Sequence, residues 1–111
     1  MNKDFKLFQS EFKKWQQKFG LTGYKVYFEY TPLKGCFAQY ELDQYNMVAT
    51  VRLNSDDKNN PDKHVALSAK HEAIHLLIGK LDHLSRSRYI QPEETDEAVE
   101  ELVFKLEELI R

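Results

Sequence analysis

Residues 60–79 read Asn60-Pro61-Asp62-Lys63-His64-Val65-Ala66-Leu67-Ser68-Ala69-Lys70-His71-Glu72-Ala73-Ile74-His75-Leu76-Leu77-Ile78-Gly79. The ends are those of a helix. Asn60 can cap it, Pro61 suits the first helical position and Gly79 suits the far end. Apolar residues surround most of the cylinder, so the pattern predicts a central, largely buried helix. Within it, His71 and His75 are four apart and stand one turn apart on one face. Glu72 lies about 100° round the helix from His71.

That spacing carries chemistry. Two neutral imidazoles on one face can reach a single metal ion. Zinc accepts imidazole well and, in catalytic sites, takes three protein ligands and leaves a position open for water. A carboxylate beside the ion is placed to take a proton from that water. The sequence therefore nominates Zn2+ as cofactor, His71 and His75 as ligands and Glu72 as general base. Histidine and glutamate are also unusual in a helix this apolar, because burying them without partners is costly.

Working outward, the upstream half divides into a helix and three strands. Phe5, Phe8, Phe12, Trp15 and Phe19 recur at spacings of three and four, which predicts an amphipathic helix whose aromatic stripe is core, ended by Gly20. Tyr24–Tyr30, Gly35–Leu42 and Met47–Leu53 are strand candidates. The short polar link Asp43-Gln44-Tyr45-Asn46 predicts a hairpin between the last two, and hence a mostly antiparallel three-stranded sheet. Asn54–Pro61 reads as a solvated loop, because its acidic residues, and Asn59 and Asn60, lack the spacing of a calcium loop. Lys80–Gln91 reads as an irregular, partly basic connector. Pro92 opens a last helix whose apolar face comprises Val99, Leu102, Val103, Leu106, Leu109 and Ile110.

Composition sets the bounds. The chain has 111 residues, 41% of them hydrophobic, which fits one α+β domain over 1–111. The formal net charge of −2 argues against nucleic acid or an anionic membrane as partner. Cys36 is the single cysteine, so no internal disulfide scaffold is available. No signal-like or membrane-spanning stretch is evident, and a cytoplasmic protein is expected.

The third metal ligand is less sharply marked. One zinc-hydrolase pattern continues His-Glu-x-x-His-x-x-Gly-x-x-His. Here those last positions hold Ile78 and Leu81, and His83 comes two residues late. The last helix supplies acids instead. Asp96 and Glu100 border its apolar face, whereas Glu97 and Glu101 point more nearly to solvent. Glu100 is favoured for its reach, with Asp96 next. His83 and Tyr89 are candidate hydrogen-bond donors to an oxyanion. His64 lies about 10 Å from His71 along the helix, too far to share the ion, and reads either as lining a cleft or, the preferred reading, as a first-turn surface residue.

The order of parts resembles the minimal zincin, a gluzincin-like His-Glu-x-x-His metallopeptidase domain. The likeness rests on Trp15–Glu29, Ala49-Thr50-Val51-Arg52-Leu53, His71–Leu77 and Glu100–Leu106. It is nearest to short metallopeptidase-like proteins of phages and prophages, and more distant from SprT-like and ImmA/IrrE-like proteases. The resemblance implies a peptidase acting on a peptide or protein substrate, with an acidic third ligand from the last helix. It also implies that the third strand, near Ala49–Leu53, edges the cleft and pairs with the substrate. Two alternatives stand beside it: a non-catalytic zinc-binding module, and a regulatory protease specific for one partner protein.

Overall fold

The computed structural model describes residues 2–57 and 60–109. Asn59 and Ile110, both used in the sequence reading, lie outside them. The fold is α+β, in the order α1 (Lys3–Lys18), β1 (Lys25–Thr31), β2 (Ala38–Asp43), β3 (Val48–Asn54), α2 (Asp62–Leu77), α3 (Gly79–Ser85) and α4 (Pro92–Leu109).

Helix α1 forms as its stripe predicts. Phe8 and Phe12 are completely buried, and both meet the ring of Phe28 on β1 edge-on. The helix ends in a Schellman turn. Gly20 adopts φ 71°, its N–H donates to Gln17 O, and Leu21 N–H donates to Gln16 O.

The hairpin also forms. β2 pairs antiparallel with β3, Tyr40 opposite Val51. The sheet is nonetheless mixed rather than mostly antiparallel. Its order is β1-β3-β2, and β1 pairs parallel with β3, Phe28 opposite Val51. The third strand is therefore central, paired on both sides, and cannot edge a cleft. The edge strands are β1 and β2. This order requires the 32–37 link to cross the end of β3, and Asn54 holds it there. The buried Asn54 side chain accepts from Leu33 N–H at 3.1 Å and donates to the carbonyls of Leu33 and Cys36, each at 3.0 Å. Its own backbone N–H donates to Phe37 O. The sequence reading had placed Asn54 in a solvated loop.

Side-chain alternation divides the sheet. Val26, Phe28 and Tyr30, Ala49, Val51 and Leu53, and Ala38, Tyr40 and Leu42 form the face beneath α1 and α2. On the other face Arg52 pairs with Glu29 on one neighbouring strand and Glu41 on the other.

Helix α2 departs from expectation in two ways. Pro61, not Asn60, is its cap residue. Asn60 instead donates its backbone N–H to Asp4 and its side-chain N–H to Asp57 O. Burial is one-sided: Val65, Ala69, Glu72, Ala73 and Leu76 are buried, while Leu67 and Ile74 are exposed. Helix α1 and the sheet cover its buried stripe, and Ile74 and Leu77 line a groove with Leu106 and Leu109 of α4. The connector is also more ordered than read, since α3 occupies its first half. Gly79 starts that helix instead of ending the previous one. A Cβ there would lie 2.7 Å from both Tyr40 Oη and Leu42 Cδ2, so only glycine lets the joint approach β2 this closely.

Helix α4 lies at the margin. Its inner side is Ala98, Leu102 and Leu109, whereas Val99, Val103 and Leu106 are exposed. The radius of gyration, 15.0 Å, exceeds the roughly 13 Å of a compact chain of this length. Asn54→Ala is expected to lower stability by about 2–3 kcal/mol in urea unfolding, because it strands buried backbone groups of the crossing link.

Candidate metal centre

The site grows from the contact between α2 and the edge strand β2. On α2, His71 and His75 sit one turn apart, both exposed, with ring centroids 4.9 Å apart and planes at 76°. On β2, inward-facing Tyr40 lies beneath them. Its ring stacks on His75, centroids 5.6 Å apart and planes 15° from parallel. Burial pushes the Tyr40 phenol up to about 12, and the nearby charges of Asp82, Tyr24 and Glu72 act in the same direction.

Glu72 differs from its two neighbours in being buried, at 7% exposure. Among the described residues no group hydrogen-bonds its carboxylate. Burial raises its pKa above the ordinary value, opposed by the charges of His75 and His71. Its helix register explains the position. Glu72 shares the buried stripe with Val65, Ala69 and Leu76, whereas the two histidines flank that stripe on the open side.

A groove of about 400 Å³ runs along α2 from this point, lined by Phe37, Ala38, His64, Leu67, Ser68, His71 and Glu72. The Phe37 ring rests on His64, centroids 4.4 Å apart. His64, read from the sequence as a surface residue, is exposed and lines this same groove.

The donor set fits zinc at two positions. His71 and His75 offer imidazole nitrogens, which zinc accepts, from one helix face with ring centroids 4.9 Å apart. No group of three His, Cys, Asp or Glu among the described residues is gathered for a metal. Asp96 and Glu100 are exposed on α4, away from the histidine pair. The register of α4 differs from the one read. Glu97 and Glu101 are exposed, as expected, and pair with Lys80 on α3 at 3.7 and 2.8 Å. His83 and Tyr89 are brought together elsewhere. They line a separate groove of about 340 Å³ with Tyr45, Met47 and Lys80, and the edge of one ring meets the face of the other in the Tyr45–His83 pair. Neither lines the groove that holds His71 and Glu72.

No known family, no curated protein and no solved structure matches this chain. The site's own geometry therefore carries the functional argument.

Tyr40 and Phe37 are the site residues that sequence reasoning passed over. Alternation along β2 does put Ala38, Tyr40 and Leu42 on one face. Which helix covers that face depends on strand order, and no local pattern encodes it.

Glu72 supplies a test in the metal-free protein. A carboxyl whose folded pKa is raised favours folding while protonated, and that contribution is lost as pH rises through the folded value. Glu72→Gln is therefore expected to raise Tm by a few degrees at pH 7 and to leave it unchanged near pH 4, read by calorimetry. An equal change at both pH values would contradict a buried, ionising Glu72.

Proposed function

We propose that the chain is a zinc-dependent metallohydrolase that cleaves peptide bonds. The observation that carries this reading is Glu72: a largely buried residue whose carboxylate opens on a groove it shares with His71, beside two exposed histidines. Burial of the residue raises its pKa, and perturbed acids in grooves mark functional sites more often than chance.

His71 and His75 would hold the ion. When bound, zinc would polarise the scissile carbonyl and acidify water. Glu72 takes the proton of the attacking water and delivers it to the leaving amine. Glu100, with Asp96 next, remains the proposed third ligand. Both side chains are exposed, and either would have to be carried to the histidine pair by a change in α4.

Strand order also revises the substrate proposal. β3 is paired on both sides, so the free edge beside α2 belongs to β2. An extended peptide added to that edge would pass alongside Tyr40, whose ring already touches His75. No described helix is long and apolar enough to cross a membrane.

The test is hydrolysis of a complex peptide mixture by the zinc-loaded protein, with products read by mass spectrometry. The wild type is expected to cleave. Glu72→Gln is expected to keep its metal and lose about 10²–10⁴-fold in rate, the usual worth of a general base. A Glu72→Gln protein that cleaves at the wild-type rate would remove Glu72 from the chemistry.

A further inference from the structure

An exposed histidine has a loosely fixed ring, because the torsion that turns it is broad and roughly two-fold. A ligand pair built from two such rings must give up that freedom when an ion binds, and restraint in advance strengthens binding. His71 and His75 are both exposed, so neither is fixed by burial. His75 nonetheless lies almost parallel on the ring of Tyr40.

Tyr40 is itself held firmly. Its backbone is in the β2–β3 ladder, opposite the buried Val51. Its hydroxyl end lies over Gly79, where a Cβ would come within 2.7 Å of the oxygen. Gly79 does not have a positive φ. The glycine is thus there for space, and the space admits the ends of the Tyr40 and Leu42 side chains. Strand, helix joint and imidazole meet in one stack.

We infer that Tyr40 is a positioning residue for the metal site, fixing the plane of His75 through ring stacking seated on Gly79. The inference rests on the reading of His71 and His75 as zinc ligands and adds to it a residue outside the helix. The stacking surface, not the hydroxyl, is the active part. Phenylalanine should replace Tyr40 and leucine should not.

The experiment is zinc affinity by competition with a chromophoric chelator, with folding followed by far-UV circular dichroism. Tyr40→Phe is expected to bind zinc within about threefold of wild type. Tyr40→Leu is expected to bind 10–100-fold more weakly, the usual cost of losing a residue that orients a ligand. Gly79→Ala, which crowds Tyr40 from below, is expected to weaken binding in the same direction. A folded Tyr40→Leu protein with wild-type affinity would overturn the inference and leave the zinc reading intact. A wild type that binds no zinc would overturn the zinc reading, and the inference with it. A second measurement does not depend on any variant folding. In the metal-free wild type the His75 ring protons should resonate upfield of free histidine, shielded by the Tyr40 ring. Unshifted His75 protons would also overturn the inference.

Discussion

The side-chain amide of Asn54 holds the segment joining β1 and β2 across the end of β3, and the rest of the site depends on that crossing. With the link fixed there, β1 and β3 run parallel and β2 becomes the outer strand. The outer strand is the one that lies against α2, so its inward residues meet the histidine face. Tyr40 meets His75 for this reason, and a free strand edge runs beside Glu72 for the same reason. If β2 paired with β1 instead, the order would be β1-β2-β3, with β3 an edge and β2 central.

Energetically, α2 is a compromise. One stripe of small and medium apolar residues, Val65, Ala69, Ala73 and Leu76, binds it to α1 and the sheet. Glu72 interrupts that stripe with a carboxyl that burial disfavours in its charged form. Leu67 and Ile74 are exposed on the sides of α2 away from that stripe. The core centred on Phe8, Phe12 and Phe28 must offset this local cost. Its edge-on aromatic contacts each add a modest amount beyond simple burial.

Local pattern was enough for the parts of the fold that depend on local physics. The aromatic spacing from Phe5 to Phe19 gave α1 and its buried face, and Gly20 gave its end. The polar link at Asp43–Asn46 gave the hairpin. The spacing of His71, Glu72 and His75 gave two rings on one face and a third group displaced round the helix, but not the exposure of those rings, since the pattern predicts a largely buried helix. What was not legible needed tertiary information. Parallel pairing of β1 and β3 needs the 32–37 link to cross the end of β3, where Asn54 hydrogen-bonds to residues some twenty positions away. Gly79 reads as a helix stop, but it serves a close approach to Tyr40 and Leu42 that only the folded sheet creates. On α4, hydrophobicity alone favoured the Val99–Val103–Leu106 side. The ion pairs of Lys80 with Glu97 and Glu101 accompany a different face.

The central claim is that this helix and strand edge form a zinc site, and bound metal per chain tests it most directly. Elemental analysis of protein purified without chelator, before and after added zinc, would be compared between the wild type and His71→Ala. The account predicts about one zinc per wild-type chain and almost none in the variant. A folded wild type that takes up no zinc even when it is supplied would contradict it. Two exposed histidines and a buried glutamate would then need another explanation.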